Sequence, residues 1–152
     1  MKYYAAVKYE LETVINIALT VFFDDESFCE GTTEKVKKLI EKEELKRRVL
    51  CGELTVIGAY DSPIIACFPV DTMVGFTAMS NSGEIEAICV VKRMRKKGIA
   101  SALIDNLKTL CKEREIPEIF ALSNDDSMRL FERAGFVFEA ESNWLKYRNT
   151  DD

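Results

Sequence analysis

Five cations occupy six consecutive positions in the middle of the chain, between an apolar run and a segment with helical spacing. The cations are Lys92, Arg93, Arg95, Lys96 and Lys97. The run before them, Ile85 to Val91, is short, apolar and β-branched, which is typical of a buried strand. The segment after them opens at Gly98, and its apolar residues recur at helical spacing. This order of strand, basic loop and helix start indicates a phosphate-binding site.

The phosphate site is expected for geometric and electrostatic reasons. The first turn of a helix has N–H groups without intrahelical partners and the positive end of the helix macrodipole, so it attracts an anion before any side chain contributes. Gly98 and Ala100 have no side chain beyond Cβ, so a pyrophosphate can approach the backbone closely. Arginine and lysine add charge-assisted hydrogen bonds. The alternative is a solvated basic loop, since charge runs are common.

Two segments resemble the GNAT N-acetyltransferases. The first is Arg95-Lys96-Lys97-Gly98-Ile99-Ala100, which is similar to the Q/R-x-x-G-x-G/A acyl-CoA signature of that family. The second is SNDDSMRLFERAGF, residues 123–136, which is similar to the family's S-N-x-x-x-x-x-L-Y-x-x-x-G-F block and follows at the expected separation. The resemblance covers Glu84 to about Arg148 well and the first half of the chain loosely.

The resemblance implies an α/β fold, a three-layer α/β/α domain whose mixed, mostly antiparallel sheet splays at the strand of Ile88 and Val90. Acetyl-CoA would lie in the gap between this strand and Glu118 to Leu122, with a backbone N–H near Ile88 stabilising the thioester oxygen. No metal is implied. The implied cofactor-binding residues are Ile88, Cys89, Val90, Arg95, Lys96, Lys97, Gly98, Ile99, Ala100, Ser101, Asn124 and Phe131. The alternatives are a helix cap for Asn124 and a core aromatic for Phe131.

The implied acceptor is a primary amine of a small molecule or a peptide, and it must lose a proton before it attacks. An alkylammonium with a pKa of about 10.4 has no lone pair, so a general base is expected. We expect Glu84 and Glu86 on the same strand face as Ile88, and some family members use a glutamate at the position that matches Glu84. The base is therefore predicted to be Glu84 or Glu86. The alternative is two exposed glutamates at a strand end.

Phe131 departs from the family pattern, because many members carry at this position a tyrosine that is proposed as the general acid. Phenylalanine cannot donate a proton, so the acid would be Tyr147 or Tyr60, or coenzyme A would leave as the thiolate of a thiol with a pKa of about 8.5. The departure keeps a second function open. This function is a non-catalytic, regulatory acyl-CoA-binding domain.

The composition excludes several other functions. The chain has 0 histidines, which removes Ser-His-Asp, Cys-His and His-metal chemistry. The formal net charge is -5, which disfavours a nucleic-acid-binding module built on the basic loop. The 5 cysteines are scattered without a C-x-x-C pair and are expected to be free thiols. They are Cys29, Cys51, Cys67, Cys89 and Cys111.

Length and hydropathy predict a single domain over residues 1–152, since 152 residues with 47% hydrophobic content can bury one good core. No apolar run approaches the roughly 20 residues of a membrane span, and the N-terminus lacks the apolar core of a signal peptide. We therefore expect a cytoplasmic protein that interacts with neither membranes nor nucleic acids. A homodimer is compatible with this interpretation.

The remaining elements follow from periodicity and turn signals. We predict strands at Lys2 to Lys8, TVIGAY, IIACF, MVGFTAM, Glu118 to Leu122, Phe136 to Phe138 and Trp144 to Tyr147, with IIACF and MVGFTAM either one bent strand or two. We predict helices from Leu11 to Phe22, from a Thr33 cap through Leu45, from Gly98 to about Arg114, and from Asp125 to a Gly135 stop. The turn Asn81-Ser82-Gly83 is predicted to start the strand of Glu84.

Overall fold

The computed structural model describes residues 1–6, 10–24, 39–65, 67–122, 125–139 and 144–148. The strands are β1 (Lys2–Ala5), β2 (Leu54–Asp61), β3 (Ile64–Ile65), β4 (Phe68–Pro69), β5 (Thr72–Ser80), β6 (Glu84–Val90), β7 (Glu118–Ala121), β8 (Val137–Glu139) and β9 (Trp144–Arg148). The helices are α1 (Leu11–Asp24), α2 (Lys42–Leu50), α3 (Ile99–Glu113) and α4 (Asp125–Arg133), and a 3₁₀ helix covers Lys92–Met94. Seven strands form one sheet in the order β1-β2-β5-β6-β7-β9-β8.

Each face of the sheet carries its own apolar cluster. On one face, α3 and α4 bury residues such as Leu103, Leu107 and Phe131 against the sheet. On the other face, α1 and α2 bury residues such as Val14 and Leu45. The apolar residues of both long helices recur every three to four positions, so each helix presents one stripe to the sheet. The predicted three-layer α/β/α architecture is confirmed.

The centre of the sheet is an antiparallel meander of β2, β5 and β6, and β7 then pairs in parallel with β6. The helix α3 connects β6 to β7, as a parallel pair requires. The turn before β6 needs a glycine at Gly83, which has φ +100°. A Cβ there would lie 2.2 Å from the Glu118 carbonyl oxygen, so β7 can approach β6 only because this side chain is absent.

The structure decides two predictions about the first half of the chain. IIACF and MVGFTAM are separate elements, because β3 and β4 form a small hairpin and β5 begins at Thr72. The prediction of one helix that continues through Leu45 is wrong, because Glu41 is extended and caps a new helix. Its carboxylate accepts the N–H groups of Glu43 at 3.3 Å and Glu44 at 2.6 Å. The predicted cap Thr33 lies outside the described residues.

Candidate functional site

β6 pairs with β5 along its length but with β7 only at its beginning. Glu84 lies opposite Phe120 and Ile85 lies opposite Ala121, where β7 ends, whereas β6 continues to Val90. Within the described residues, no strand pairs with the β7-facing edge of β6 from residue 86 onward. The predicted splay is therefore confirmed, and we call residues 88–90 on this side the open edge of β6.

A β-bulge at Glu86 separates the two halves of β6, because the register with β5 shifts opposite this residue. After the bulge, Ile88 packs on the α3 face of the sheet and Cys89 is buried on the α1 face. Glu84 and Glu86 instead line a groove beside Arg48 of α2. The expectation that Glu84 and Glu86 share a face with Ile88 is wrong, because the extra residue of the bulge interrupts the strand alternation.

The bulge also sets the direction of the backbone groups beyond it. Val91 donates its N–H to the Val74 carbonyl oxygen of β5 at 2.9 Å. Successive residues of an antiparallel strand direct their N–H and C=O groups to opposite sides, so those of Val90 and Ile88 point away from β5. These groups therefore face the open edge, where an extended ligand with amide groups can pair with them. The sequence predicted that the backbones of Ile88 and Val90 bind the cofactor, and this role stays a prediction.

The helix α3 begins next to the open edge and has the geometry of an anion site. Gly98 has φ +79°, and among the described residues no atom beyond its two chain neighbours lies within 4 Å of the position that a Cβ would take. The Ala102 N–H donates to the Gly98 carbonyl oxygen at 3.0 Å, so the amides of Ile99, Ala100 and Ser101 precede the first intrahelical bond. The side chain of Ile99 is buried in the core, and its contribution is therefore limited to its backbone.

The cations of the loop are not equivalent. Arg93, Lys96 and Lys97 are exposed, so their charges can meet a phosphate in solvent. Arg95 is half-buried, and its Nε donates to the Val90 carbonyl oxygen at 3.1 Å. The side chain of Met94 is buried in the core on the α3 face of the sheet and thereby fixes the middle of the loop. The sequence predicted cofactor binding for Arg95, Lys96 and Lys97 alike. In the structure Arg95 is hydrogen-bonded to β6, whereas Lys96 and Lys97 are exposed to solvent.

The groove beside the first half of β6 has a volume of about 570 Å³. Its lining residues are Glu44, Arg47, Arg48, Glu53, Ser80, Ser82, Glu84 and Glu86. Four glutamates and two arginines leave a net formal charge of −2. The groove connects α2 with the β5–β6 turn, and its acidic character favours cationic over anionic ligands.

Glu86 and Arg48 form a bidentate ion pair in this groove. The Nη1 of Arg48 donates to Oε1 of Glu86 at 3.0 Å, and its Nη2 donates to Oε2. The two side chains are only 12% and 8% exposed, respectively. The hydrogen bond with Glu86 raises the pKa of Arg48. Sequence reasoning missed Arg48, because nothing in the helical pattern of α2 indicates which cation meets β6.

The candidate acids do not lie at the open edge. Tyr147 lies on β9, on the far side of β7, where it pairs with Ile119 of β7. The centroid of its ring lies 5.6 Å from that of Phe136 and 4.2 Å from the Lys108 ammonium. Tyr60 lies on β2, two strands from β6, where it is 1% exposed. Burial is the main cause that raises the pKa of Tyr60.

The two residues of the second resembling segment have different outcomes. Phe131 is 3% exposed and packs at 5.1 Å from the ring of Phe136, so it takes the core position that the sequence left as its alternative. Asn124 lies outside the described residues, and its predicted cofactor contact stays a prediction. The helix α4 that follows it extends over Asp125–Arg133, as expected.

Among the residues that the structure describes, no group of three or more His, Cys, Asp or Glu side chains is arranged to hold a metal ion. Cys51, Cys67, Cys89 and Cys111 are free thiols, and Cys29 lies outside the described part. Burial raises the pKa of Cys89 to about 12. None of the helices within the described ranges has the length and apolar character to cross a membrane.

Comparison with known proteins agrees with this geometry. A family model described as an acetyltransferase (GNAT) domain matches residues 22–146. No curated protein matches the chain. Among solved structures, the paia N-acetyltransferase of Thermoplasma acidophilum in complex with coenzyme A is 17% identical with a TM-score of 0.71, over 98% of this chain and 100% of that one.

Two further solved structures have the same fold. A predicted acetyltransferase of Clostridium acetobutylicum with acetyl-CoA is 16% identical, covers 92% of both chains and has a TM-score of 0.71. The ribosomal-protein-alanine N-acetyltransferase of Brucella melitensis is 15% identical over 98% of this chain and 100% of that one, with a TM-score of 0.69. At these identities the likeness concerns the fold alone.

Proposed function

Because the chain belongs to the GNAT acetyltransferase family, we propose that it transfers the acetyl group of acetyl-CoA to a primary amine. The observation that carries the proposal is the open edge of β6 next to the start of α3. There, the backbone groups of Ile88 and Val90 lie beside an anion site at Gly98. The relatives solved with coenzyme A or acetyl-CoA support the same ligand.

The residues at this edge fit acetyl-CoA by charge and by hydrogen-bonding pattern. Its pyrophosphate would be held by the amides of residues 99–101 and by the exposed cations Lys96 and Lys97. Its pantetheine amides would pair with the backbone of Val90, and the Ile88 N–H would donate to the thioester oxygen, where negative charge develops. When bound, acetyl-CoA supplies an activated acetyl thioester.

The groove at the other half of β6 fits the acceptor. Its net formal charge of −2 attracts an ammonium group, and this supports a cationic amine over an anionic or neutral acceptor. Of the two candidate bases, we assign the proton to Glu84, with water between it and the amine. Both oxygens of Glu86 already accept hydrogen bonds from Arg48, so this carboxylate is engaged in holding α2 to β6.

The proposal needs no general acid near the leaving group, because coenzyme A departs as a thiolate whose thiol has a pKa of about 8.5. A second candidate function, a non-catalytic acyl-CoA-binding regulatory domain, is favoured by one observation. Phe131 is a buried core residue, and no tyrosine replaces it at the open edge within the described ranges. A cytoplasmic location, a single domain over residues 1–152 and a homodimer remain predictions from the sequence.

Calorimetry with acetyl-CoA tests the cofactor site. Gly98→Glu places a carboxylate where the pyrophosphate would lie, and we expect it to weaken binding at least about tenfold. Gly52→Glu is the matched control, because Gly52 also has positive φ and open space but lies in the turn after α2. No binding of acetyl-CoA at millimolar concentration, or equal losses in both variants, would refute the site.

A screen of amines for acetyl-CoA-dependent thiol release separates the two functions. We expect turnover with cationic amines, and less with neutral amines of the same size. An acetyl-CoA complex that turns over none of the amines would instead favour the regulatory domain.

A further inference from the structure

We propose that Arg95 is a positioning residue, which fixes the basic loop on the open edge of β6 through the Val90 carbonyl and does not act as a phosphate ligand. The inference rests on the acetyl-CoA binding proposed above. The observation behind it is the hydrogen bond from the Arg95 Nε to the Val90 carbonyl oxygen at 3.1 Å. The side chain folds back onto the strand that precedes the loop, whereas its neighbours Lys96 and Lys97 are exposed.

The Val90 carbonyl, which accepts from Arg95, is one of the backbone groups at the open edge of β6. The Val90 carbonyl faces the open edge, where no strand of the described residues pairs with it. A buried or half-buried carbonyl without a partner costs free energy, so the guanidinium stabilises the end of β6 as well as the loop. A carbonyl oxygen has two lone pairs and can accept from Arg95 and from a pantetheine amide together. The contact can therefore persist when the ligand binds.

The loop between β6 and α3 needs such a tether, because its backbone turns sharply. Lys96 has φ +63° and Gly98 has φ +79°, so two of three consecutive residues are in the left-handed region. For Lys96 this conformation costs about 1 kcal/mol and persists only if the surroundings hold it. Met94 in the core and Arg95 on Val90 hold the loop directly before the turn. The turn then presents Lys96 and Lys97 to solvent beside the start of α3.

The charge of Arg95 also acts on the residue that precedes Val90. Burial raises the pKa of Cys89, and the charge of Arg95 partly opposes this rise. Cys89 directly precedes Val90 on β6. The positive charge of Arg95 therefore favours the thiolate form of Cys89 on β6, in agreement with the hydrogen bond to Val90.

Two substitutions separate the hydrogen bond from the charge. In Arg95→Gln the amide nitrogen is the same number of bonds from Cα as the Nε of arginine, so the variant keeps a donor and loses the charge. In Arg95→Lys a carbon takes that place, so the variant keeps the charge and loses the donor at this position. Binding of acetyl-CoA is measured by calorimetry over a series of salt concentrations, together with the thermal midpoint of each variant.

We expect Arg95→Lys to weaken acetyl-CoA binding about tenfold. Arg95→Gln should bind acetyl-CoA with an affinity within about threefold of the parent and with the same salt dependence. Lys96→Gln and Lys97→Gln are the charge controls, and each should lower the salt dependence. In the free protein, amide hydrogen exchange over residues 92–101 should be faster in Arg95→Lys than in Arg95→Gln.

The opposite order would overturn the proposal. If Arg95→Lys binds like the parent while Arg95→Gln is weaker and less sensitive to salt, Arg95 is a phosphate ligand. If both variants bind and exchange like the parent, the contact with Val90 has no positioning role. A parent protein that binds no acetyl-CoA would refute the proposed function and this role with it, whatever the variants do.

Discussion

The two halves of β6 differ in what they offer to a ligand. The first half, Glu84 to Glu86, is paired on both edges at its start and is linked to α2 by the ion pair with Arg48. The second half, Ile88 to Val90, is paired on one edge only and exposes backbone groups on the other. One half therefore provides charged side chains in a groove, and the other provides N–H and C=O groups along an edge.

In the proposed function, this difference lets one strand serve two substrates. The bulge at Glu86 turns carboxylates toward α2 while the residues after it direct backbone groups to the gap beside β7. In a regular strand, a side chain at Glu86 would have pointed to the same face as Ile88. In the proposed function, the acceptor groove and the cofactor edge therefore lie on different sides of the strand.

The largest effect is expected at Gly83, where β7 closely approaches the first half of β6. Gly83→Ala should lower the free energy of unfolding by roughly 3 kcal/mol or more, because the new Cβ would lie 2.2 Å from the Glu118 carbonyl oxygen at a positive φ. Gly52→Ala is the control, with positive φ but open space, and should cost about 1 kcal/mol. Urea denaturation measures both. Equal losses would mean that β7 does not depend on this close approach.

A smaller effect should follow from breaking the ion pair between α2 and β6. Arg48→Met leaves Glu86 largely buried without its bidentate partner, and we expect a loss of about 2 kcal/mol. The double variant Arg48→Met, Glu86→Met should regain most of that stability, since no uncompensated charge remains. A double-mutant cycle by urea denaturation tests this. Additive losses in the double variant would contradict a coupling between the two side chains.

Loss of the carboxylates should affect catalysis more modestly. The double variant Glu84→Gln, Glu86→Gln should lose at least about tenfold in kcat/KM near pH 7 and recover as the pH rises, because the amine then deprotonates without a base. Glu84→Gln alone should reproduce this pH dependence, whereas Glu86→Gln alone should chiefly change stability. Phe131→Tyr should change the rate far less. Full activity of the double variant from about pH 6 to about pH 9 would leave both glutamates without a base role.

The smallest effect concerns the second half of β6 at alkaline pH. Burial raises the pKa of Cys89 to about 12, above its ordinary value of 9.0. A group whose pKa is higher in the folded state contributes stability that is complete below its unfolded pKa and is lost as the pH rises toward the folded one. Stability should therefore decline above about pH 9, by less than about 1 kcal/mol at pH 9.5. Cys89→Ala should flatten this decline in urea midpoints, and an unchanged slope would argue against a protonated thiol.

Much of the fold could be predicted from local pattern. The helical spacing from Ile99 onward predicted α3, and Gly83 and Gly135 marked turns where the structure has positive φ. The break at Glu41 was missed, because a glutamate within a charged helical pattern does not look like a cap. The separation of IIACF from MVGFTAM could not be decided either, since it depends on which strand each run pairs with.

The sequence by itself determined the order of strand, basic loop and helix, because hydrophobic period, glycine and charge act over a few residues. It also excluded histidine as a general acid or base, since the chain has no histidine. Only the tertiary structure decided the position of each polar group within the site. The bulge at Glu86, the partner of Arg48 and the inward turn of Arg95 all depend on contacts with neighbouring elements, and residues that lie far apart in the chain supply the first two.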